Sequence, residues 1–356
     1  LKALVYHAPE GLRLVEIETP RLGAGDVLLE VAAASICATD LRIVGGGHLK
    51  IRDGVRRVPG HEVAGRAAAT GPQVTGISVG MPVVVIPNIG CGACDQCIRG
   101  QTHLCPTYEA FGIDLDGGFA EFMLVPERAL RQALLVPIPD GMSFSEAALV
   151  EPLSCCYNGI QAGRIVPGDT VLVVGGGPIG LMHVLLARLA GARRVIVSEI
   201  LDERLAQASS FGADVLINPD VEDAQEAVLR ATGGGGADVV IVAAPSPQAM
   251  EQAPALAAAE GRVVYFAGLP RGQDTITFSP NRIHYRQITV TGTTGASRWQ
   301  FKRALDLAAA RRVDLSRLVG AVLPLEDGLA AFDRARSRRE LKIVIAPGRS
   351  ERRVTG

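Results

Sequence analysis

The apolar stretch Asp169-Thr170-Val171-Leu172-Val173-Val174 runs straight into Gly175-Gly176-Gly177-Pro178-Ile179-Gly180, and 181–190 then has helical composition. A run of this kind fits a parallel strand buried on both faces. A lone G-x-G-x-x-G is a weak signal, but here the required strand precedes it and the required helix follows. A second strand, Arg194-Val195-Ile196-Val197-Ser198, ends at the acidic Glu199. Strand, glycine turn, helix, strand and acid together commit this part of the chain to a βαβ unit whose turn approaches a pyrophosphate. Gly175 permits the tight turn, Gly177 lets the backbone approach the phosphates at the helix N-terminus, and Gly180 permits close packing of helix on strand.

The alternation of helix and strand continues. Helical 202–211 precedes a strand at 213–217, and helical 221–231 precedes one at 237–243. Helical 247–259 leads to strands at 262–266 and 287–291, which completes a six-stranded doubly wound parallel sheet. Gly233-Gly234-Gly235-Gly236 precedes a strand, not a helix, and reads as a loop. Residues 1–150 differ. They carry short β-type runs (27–31, 81–86 and 119–125) punctuated by Gly and Pro, the pattern of a compact all-β fold. From 295 a helix at 300–312 and a strand at 341–345 fit a return to that first domain, and Ser350–Gly356 is a polar tail. The fold class expected is therefore α/β, with domains at 1–152, 153–294 and the returning 295–356.

Bulk properties narrow the function. A net charge of −1 without long runs of one sign argues against nucleic acid or a membrane surface as partner. No apolar stretch approaches the ~18 residues of a membrane span. The N-terminal residues read as a strand and not as a signal peptide, so a cytoplasmic location is expected. Four of the seven cysteines, Cys91, Cys94, Cys97 and Cys105, form C-x2-C-x2-C-x7-C. Four thiolates complete a tetrahedral Zn²⁺ site and leave no open position, so this lobe reads as a structural zinc site. A redox C-x-x-C needs only two cysteines. An iron–sulfur cluster also takes four. Cys155 and Cys156 read as small buried apolar residues.

A second set of ligand types surrounds Gly60-His61-Glu62-Val63-Ala64-Gly65. Imidazole, carboxylate and thiolate all bind zinc, and Cys37, His61, Glu62 and Glu151 supply them. Gly60-His61-Glu62-x2-Gly65-x5-Gly71-x2-Val74 matches the zinc signature of the medium-chain alcohol dehydrogenases. The chain resembles that family over essentially its whole length.

The resemblance implies a GroES-like β-barrel catalytic domain, a Rossmann domain that binds NAD, and two zinc ions per chain. It implies that Cys37, His61, Glu62 and Glu151 surround the catalytic zinc, that the Thr39 hydroxyl bonds the substrate alcohol, and that Asp40 supports the ligand histidine. Many members carry a relay histidine where this chain has Arg42, which cannot accept a proton at neutral pH. Gly175, Gly177, Pro178, Ile179 and Gly180 are expected at the cofactor. Glu199 is expected on the adenosine ribose, favouring NAD over NADP. Arg204 matches a family arginine near the adenosine, or is a solvated charge. The turns Ala267-Gly268-Leu269 and Gly292-Thr293-Thr294 are expected at the nicotinamide. After Gly45-Gly46-Gly47, His48 is either solvated or lines the substrate cleft. Glu151-Pro152-Leu153-Ser154 is similar to the sorbitol and threonine branch. That branch implies a polyol dehydrogenase acting on a small-molecule alcohol, with a threonine-type amino-alcohol dehydrogenase or a non-catalytic zinc- and nucleotide-binding protein as alternatives. The Arg-Tyr pair of sorbitol enzymes falls at Gly295-Ala296, which speaks against sorbitol itself. The family is commonly tetrameric, and a homotetramer is expected.

Overall fold

The computed structural model describes residues 1–46, 48, 50–270 and 272–348. Gly47 of the glycine run and the polar tail Ser350–Gly356 lie outside the described residues. The chain divides into two compact units, Leu1–Pro152 with the chain from Ala296 onward, and Leu153–Gly295. Among the described residues no helix is long and apolar enough to cross a membrane.

The first unit is mainly β. Its largest sheet has seven strands, six of them in the order Leu135–Pro137, Pro82–Val85, Glu62–Thr70, Val27–Ser35, Lys342–Ala346 and Val319–Pro324. The seventh, Phe122–Val125, pairs with the first residues of Val27–Ser35, while Ala34 and Ser35 pair with Ile345 and Val344. One strand is thus shared between an antiparallel neighbour from later in the first unit and the returning C-terminal segment. Gly65 sits where the strands cross closely: a Cβ there would lie 2.1 Å from the Glu30 carbonyl oxygen. The strand expected over 119–125 begins only at Phe122. The Phe119 N–H bonds the Pro59 carbonyl and its own carbonyl accepts from Leu4, so these residues brace the segment leading to His61.

The second unit is the doubly wound sheet, ordered Val215–Ile217, Arg194–Ser198, Thr170–Val174, Ala237–Val242, Ala257–Tyr265 and Thr289–Gly292. All five pairings are parallel. Thr170–Val174 is buried along its whole length, as its unbroken apolar sequence requires. Two boundaries differ from the pattern-based expectation. The helix over 247–259 ends at Leu256, because Pro254 removes a backbone donor and Ala257 pairs with Ala237. The strand expected from 287 begins at Thr289, because Gln287 adopts a left-handed conformation that caps the Pro280–Arg286 helix.

Candidate functional site

In the first unit, Cys37 immediately precedes the Ala38–Gly46 helix, and His61 precedes the Glu62–Thr70 strand. Ser35 pairs with Glu62 across the sheet, so a strand end and a helix start bring these side chains together. Donor atoms of Cys37, His61 and Glu62 lie within 4.8 Å of one another. Thiolate, imidazole and carboxylate at that mutual distance fit a zinc ion with three protein ligands and one exchangeable position.

Asp40 organises this centre. It is fully buried, and its carboxylate accepts from the Cys37 N–H at 2.9 Å and the Gly60 N–H at 3.1 Å. Its Oδ1 lies 3.6 Å from His61 Nδ1, an ion-pair separation longer than a hydrogen bond, on the side from which a carboxylate can orient the ring. Burial alone would lower the His61 pKa. The charges of Asp40 and Cys37 outweigh it and hold the ring well above its ordinary value. Thr39 sits in the first turn of the helix, where its Oγ1 accepts from Arg42 Nη2 at 3.2 Å.

Glu151, on the Val150–Ala162 helix, is buried but lies outside the three-residue group. Its charge does reach Lys342. Lys342 itself was not identified from sequence. Its Nζ lies 2.6 Å from one Glu62 oxygen, donates to the other at 2.8 Å and bonds the Ile36 carbonyl at 2.9 Å. Burial opposes its charge, but Glu62, Cys37 and Glu151 together raise its pKa. A lysine inside the apolar run 341–345 was the available signal, because a buried ammonium needs a carboxylate partner.

The four-cysteine lobe folds as a second group. Donor atoms of Cys91, Cys94, Cys97 and Cys105 all lie within 4.8 Å of one another, and Cys91 Sγ is 4.0 Å from Cys97 Sγ. A tetrahedron with Zn–S bonds of ~2.3 Å has edges of about 3.8 Å, so the spacing fits a closed zinc site. The Ala93 and Cys94 N–H groups donate to Cys91 Sγ, and the Cys91 N–H donates to Cys105 Sγ, as suits thiolates that carry charge.

In the second unit, the glycine turn lies at the carboxyl end of Thr170–Val174. Gly175 has φ 106°, Gly177 caps the Pro178–Leu189 helix and Pro178 opens it. A Cβ on Gly180 would meet the Gly175 carbonyl oxygen at 1.8 Å, so only glycine fits there. Ile179 lies in the first turn of this helix. Glu199 Oε2 accepts from the Gly176 N–H at 2.8 Å, and its Oε1 accepts from the Ile200 and Leu201 N–H groups. Arg204 Nη1 lies 3.9 Å from that carboxylate. The acid is thereby fixed against the phosphate turn. Ala267, Gly268 and Leu269 follow Ala257–Tyr265, and Thr293 and Thr294 follow Thr289–Gly292. All these turns share the carboxyl edge of the sheet, where open α/β sheets bind their ligands. His48 is half-buried, accepts from the Lys50 N–H and belongs to neither metal-type group among the described residues.

A mixed three-ligand metal centre, a closed cysteine lobe and a dinucleotide turn together define a zinc-binding dehydrogenase. A family model described as alcohol dehydrogenase GroES-like domain matches residues 23–140, and one described as zinc-binding dehydrogenase matches residues 178–310. The chain belongs to this family of zinc-dependent alcohol dehydrogenases. It is 40% identical to an L-threonine 3-dehydrogenase of Pyrococcus horikoshii over 82% of this chain and 81% of the relative. It is 32% identical to a sorbitol dehydrogenase of Bacillus subtilis over 98% of each. A zinc-binding dehydrogenase of Sinorhizobium meliloti, solved bound to NADP, superimposes with a TM-score of 0.89 at 32% identity, over 97% of this chain and 99% of the other.

Proposed function

We propose that this chain oxidises a secondary alcohol of a polyol, cyclitol or sugar-derived substrate to a ketone, with NAD as hydride acceptor. The observation that carries the reading is the Cys37, His61 and Glu62 group, with Asp40 beside it and Thr39 in the helix that starts after Cys37. When bound at these sites, zinc would supply Lewis-acid stabilisation of the alcohol oxygen and nicotinamide would supply the hydride-accepting chemistry. The chain's own residues do the rest. Cys37, His61 and Glu62 would hold the metal, with Glu151 as a further carboxylate. Asp40 fixes the imidazole. Thr39 bonds the alcohol and helps take its proton. Lys342 neutralises the carboxylates of the centre. In this reading 1–152 with 295–356 is the catalytic domain and 153–294 binds NAD. The same reading includes zinc in the cysteine lobe, a cytoplasmic location and a homotetramer.

Threonine-type oxidation is the second reading, favoured by the 40% identity to an L-threonine 3-dehydrogenase. A panel of polyols, cyclitols and amino alcohols, followed by NADH absorbance on zinc-loaded enzyme, separates the two. NAD should be preferred to NADP, because the fixed Glu199 carboxylate repels a 2′-phosphate. Glu199→Ala should narrow that preference by at least roughly tenfold, since like charges brought together cost several kcal/mol. Faster native turnover with NADP than with NAD would remove Glu199 from this role.

A further inference from the structure

Arg42 stands on the Ala38–Gly46 helix three residues after Thr39, so the two side chains share one face. Its Nη2 donates to Thr39 Oγ1 at 3.2 Å. That bond uses one of the five N–H donors of a guanidinium. Arg42 is exposed, and among the described residues no carboxylate lies within ion-pair distance of it. Two cationic neighbours in the following segment, Lys50 and Arg57, are different. Lys50 Nζ pairs with Asp114 at 3.0 Å, bonds the Tyr108 carbonyl at 2.9 Å and stacks 3.9 Å from the Tyr108 ring centroid. Arg57 pairs with Asp116 at 3.0 Å. His48 is held toward its neutral form by burial, then by Lys50 and Arg42, against the opposing charge of Asp114. Arg42 is thus, among the described residues, a positive charge without an acidic partner, and it is bonded to the hydroxyl that is to meet the alcohol.

A guanidinium with free donors in a planar fork matches carboxylate or phosphate oxygens, and matches neutral hydroxyls far less well. Its distance from the reaction is set by Thr39. Ordinary hydrogen-bond lengths place an anion on Arg42 within about 9 Å of an alcohol oxygen on Thr39, a span of a few carbons. We propose that the substrate is an acidic alcohol, in which an anionic oxygen group lies a few carbons from the carbinol, and that Arg42 binds that group. This rests on the alcohol-oxidation reading and narrows it from neutral polyols to sugar acids, hydroxy acids or sugar phosphates. The bonds made and broken are unchanged: the carbinol loses a hydride to NAD and a proton to solvent, and the anion takes no part in the chemistry. The anion does not replace the relay base, because Arg42 moves no proton.

The test uses zinc-loaded enzyme with NAD and matched pairs that differ in the anion: gluconate against sorbitol, sorbitol 6-phosphate against sorbitol, 3-hydroxybutyrate against 2-butanol, and threonine against threoninol. The acidic member should have the higher kcat/KM, mainly through KM, by at least about tenfold in one of the carboxylate or phosphate arms, as a charge-assisted bond implies. Arg42→Gln should bring that ratio toward one, and Arg42→Lys should recover part of it. Calorimetric binding of the preferred acid, without NAD, should weaken about tenfold or more in Arg42→Gln. Equal turnover of acidic and neutral members would overturn the assignment and leave alcohol oxidation standing. So would an acid preference that survives Arg42→Gln, or a loss confined to NAD binding, which would give Arg42 to the cofactor's phosphates. If no alcohol of either kind is oxidised, the oxidation reading itself fails, and the calorimetry alone decides whether Arg42 holds an anion.

Discussion

A lysine within an apolar strand is tolerated only when a carboxylate meets it. Lys342 meets Glu62, and Glu62 belongs to the group that could hold a metal, so the buried cation offsets negative charge gathered there. That Cys37, His61 and Glu62 lie together was expected from the Gly60-His61-Glu62 signature and the family resemblance it carries. Lys342 was not, because 280 residues separate it from Glu62 and no local pattern records the pairing. The Arg42 bond to Thr39 was hidden for another reason: a residue type reveals what a side chain cannot do, but not what it touches. Glu151 tests the centre at this scale. Glu151→Gln keeps the shape and removes a charge that Lys342 senses. Turnover is expected to fall at least roughly tenfold, equivalent to ~1.4 kcal/mol, or zinc retention to weaken. Full zinc content with unchanged turnover and pH profile would take Glu151 out of the centre.

At the scale of elements, periodicity identified which segments become strands and helices, while their ends depended on particular residues. Pro254 and the left-handed Gln287 moved two boundaries that hydropathy alone could not place. Asp223 did the same for the helix expected from 221, which starts at Ala224 because the Asp223 side chain accepts from the Glu226 N–H. The cysteine lobe is the opposite case. It has only two short helical turns, Asp95–Ile98 and Thr102–Leu104, and its sulfur spacing was readable without any of them. So little regular structure should depend on metal for its shape. Cys94→Ser is expected to lose about one of two zinc equivalents per chain and to lower the melting temperature, measured by metal analysis and calorimetry. Both zincs retained with unchanged melting would refute a closed zinc site there.

For the whole molecule, the sequence conveyed two architectures but not how its interior is filled. His183 is fully buried in the second unit, 4.7 Å from the Phe266 ring centroid, and neither ring nitrogen has a hydrogen-bond partner among the described residues. Burial pushes its pKa down to about 3 from 6.5. Below pH 6.5 the unfolded chain takes up a proton that the folded chain refuses, so stability falls with pH through the window from 6.5 toward 3. The loss at pH 5 is about 2 kcal/mol. His183→Leu should flatten this slope, and melting curves at pH 7 and pH 5 compare the two proteins. An identical slope would place the acid sensitivity elsewhere.

The shared strand Val27–Ser35 also has a consequence for how the protein is made. Lys342 bonds the Ile36 carbonyl across 306 residues of chain. At a translation rate of about 5–20 residues per second, that partner leaves the ribosome roughly 15–60 s after Ile36. Throughout that interval the nascent first unit has an open strand edge at Ala34 and Ser35, and Glu62 has no cation beside it. A growing chain of this kind exposes the sort of unpaired strand edge that invites binding by other chains, and any break in translation before residue 342 leaves Glu62 without its buried cation.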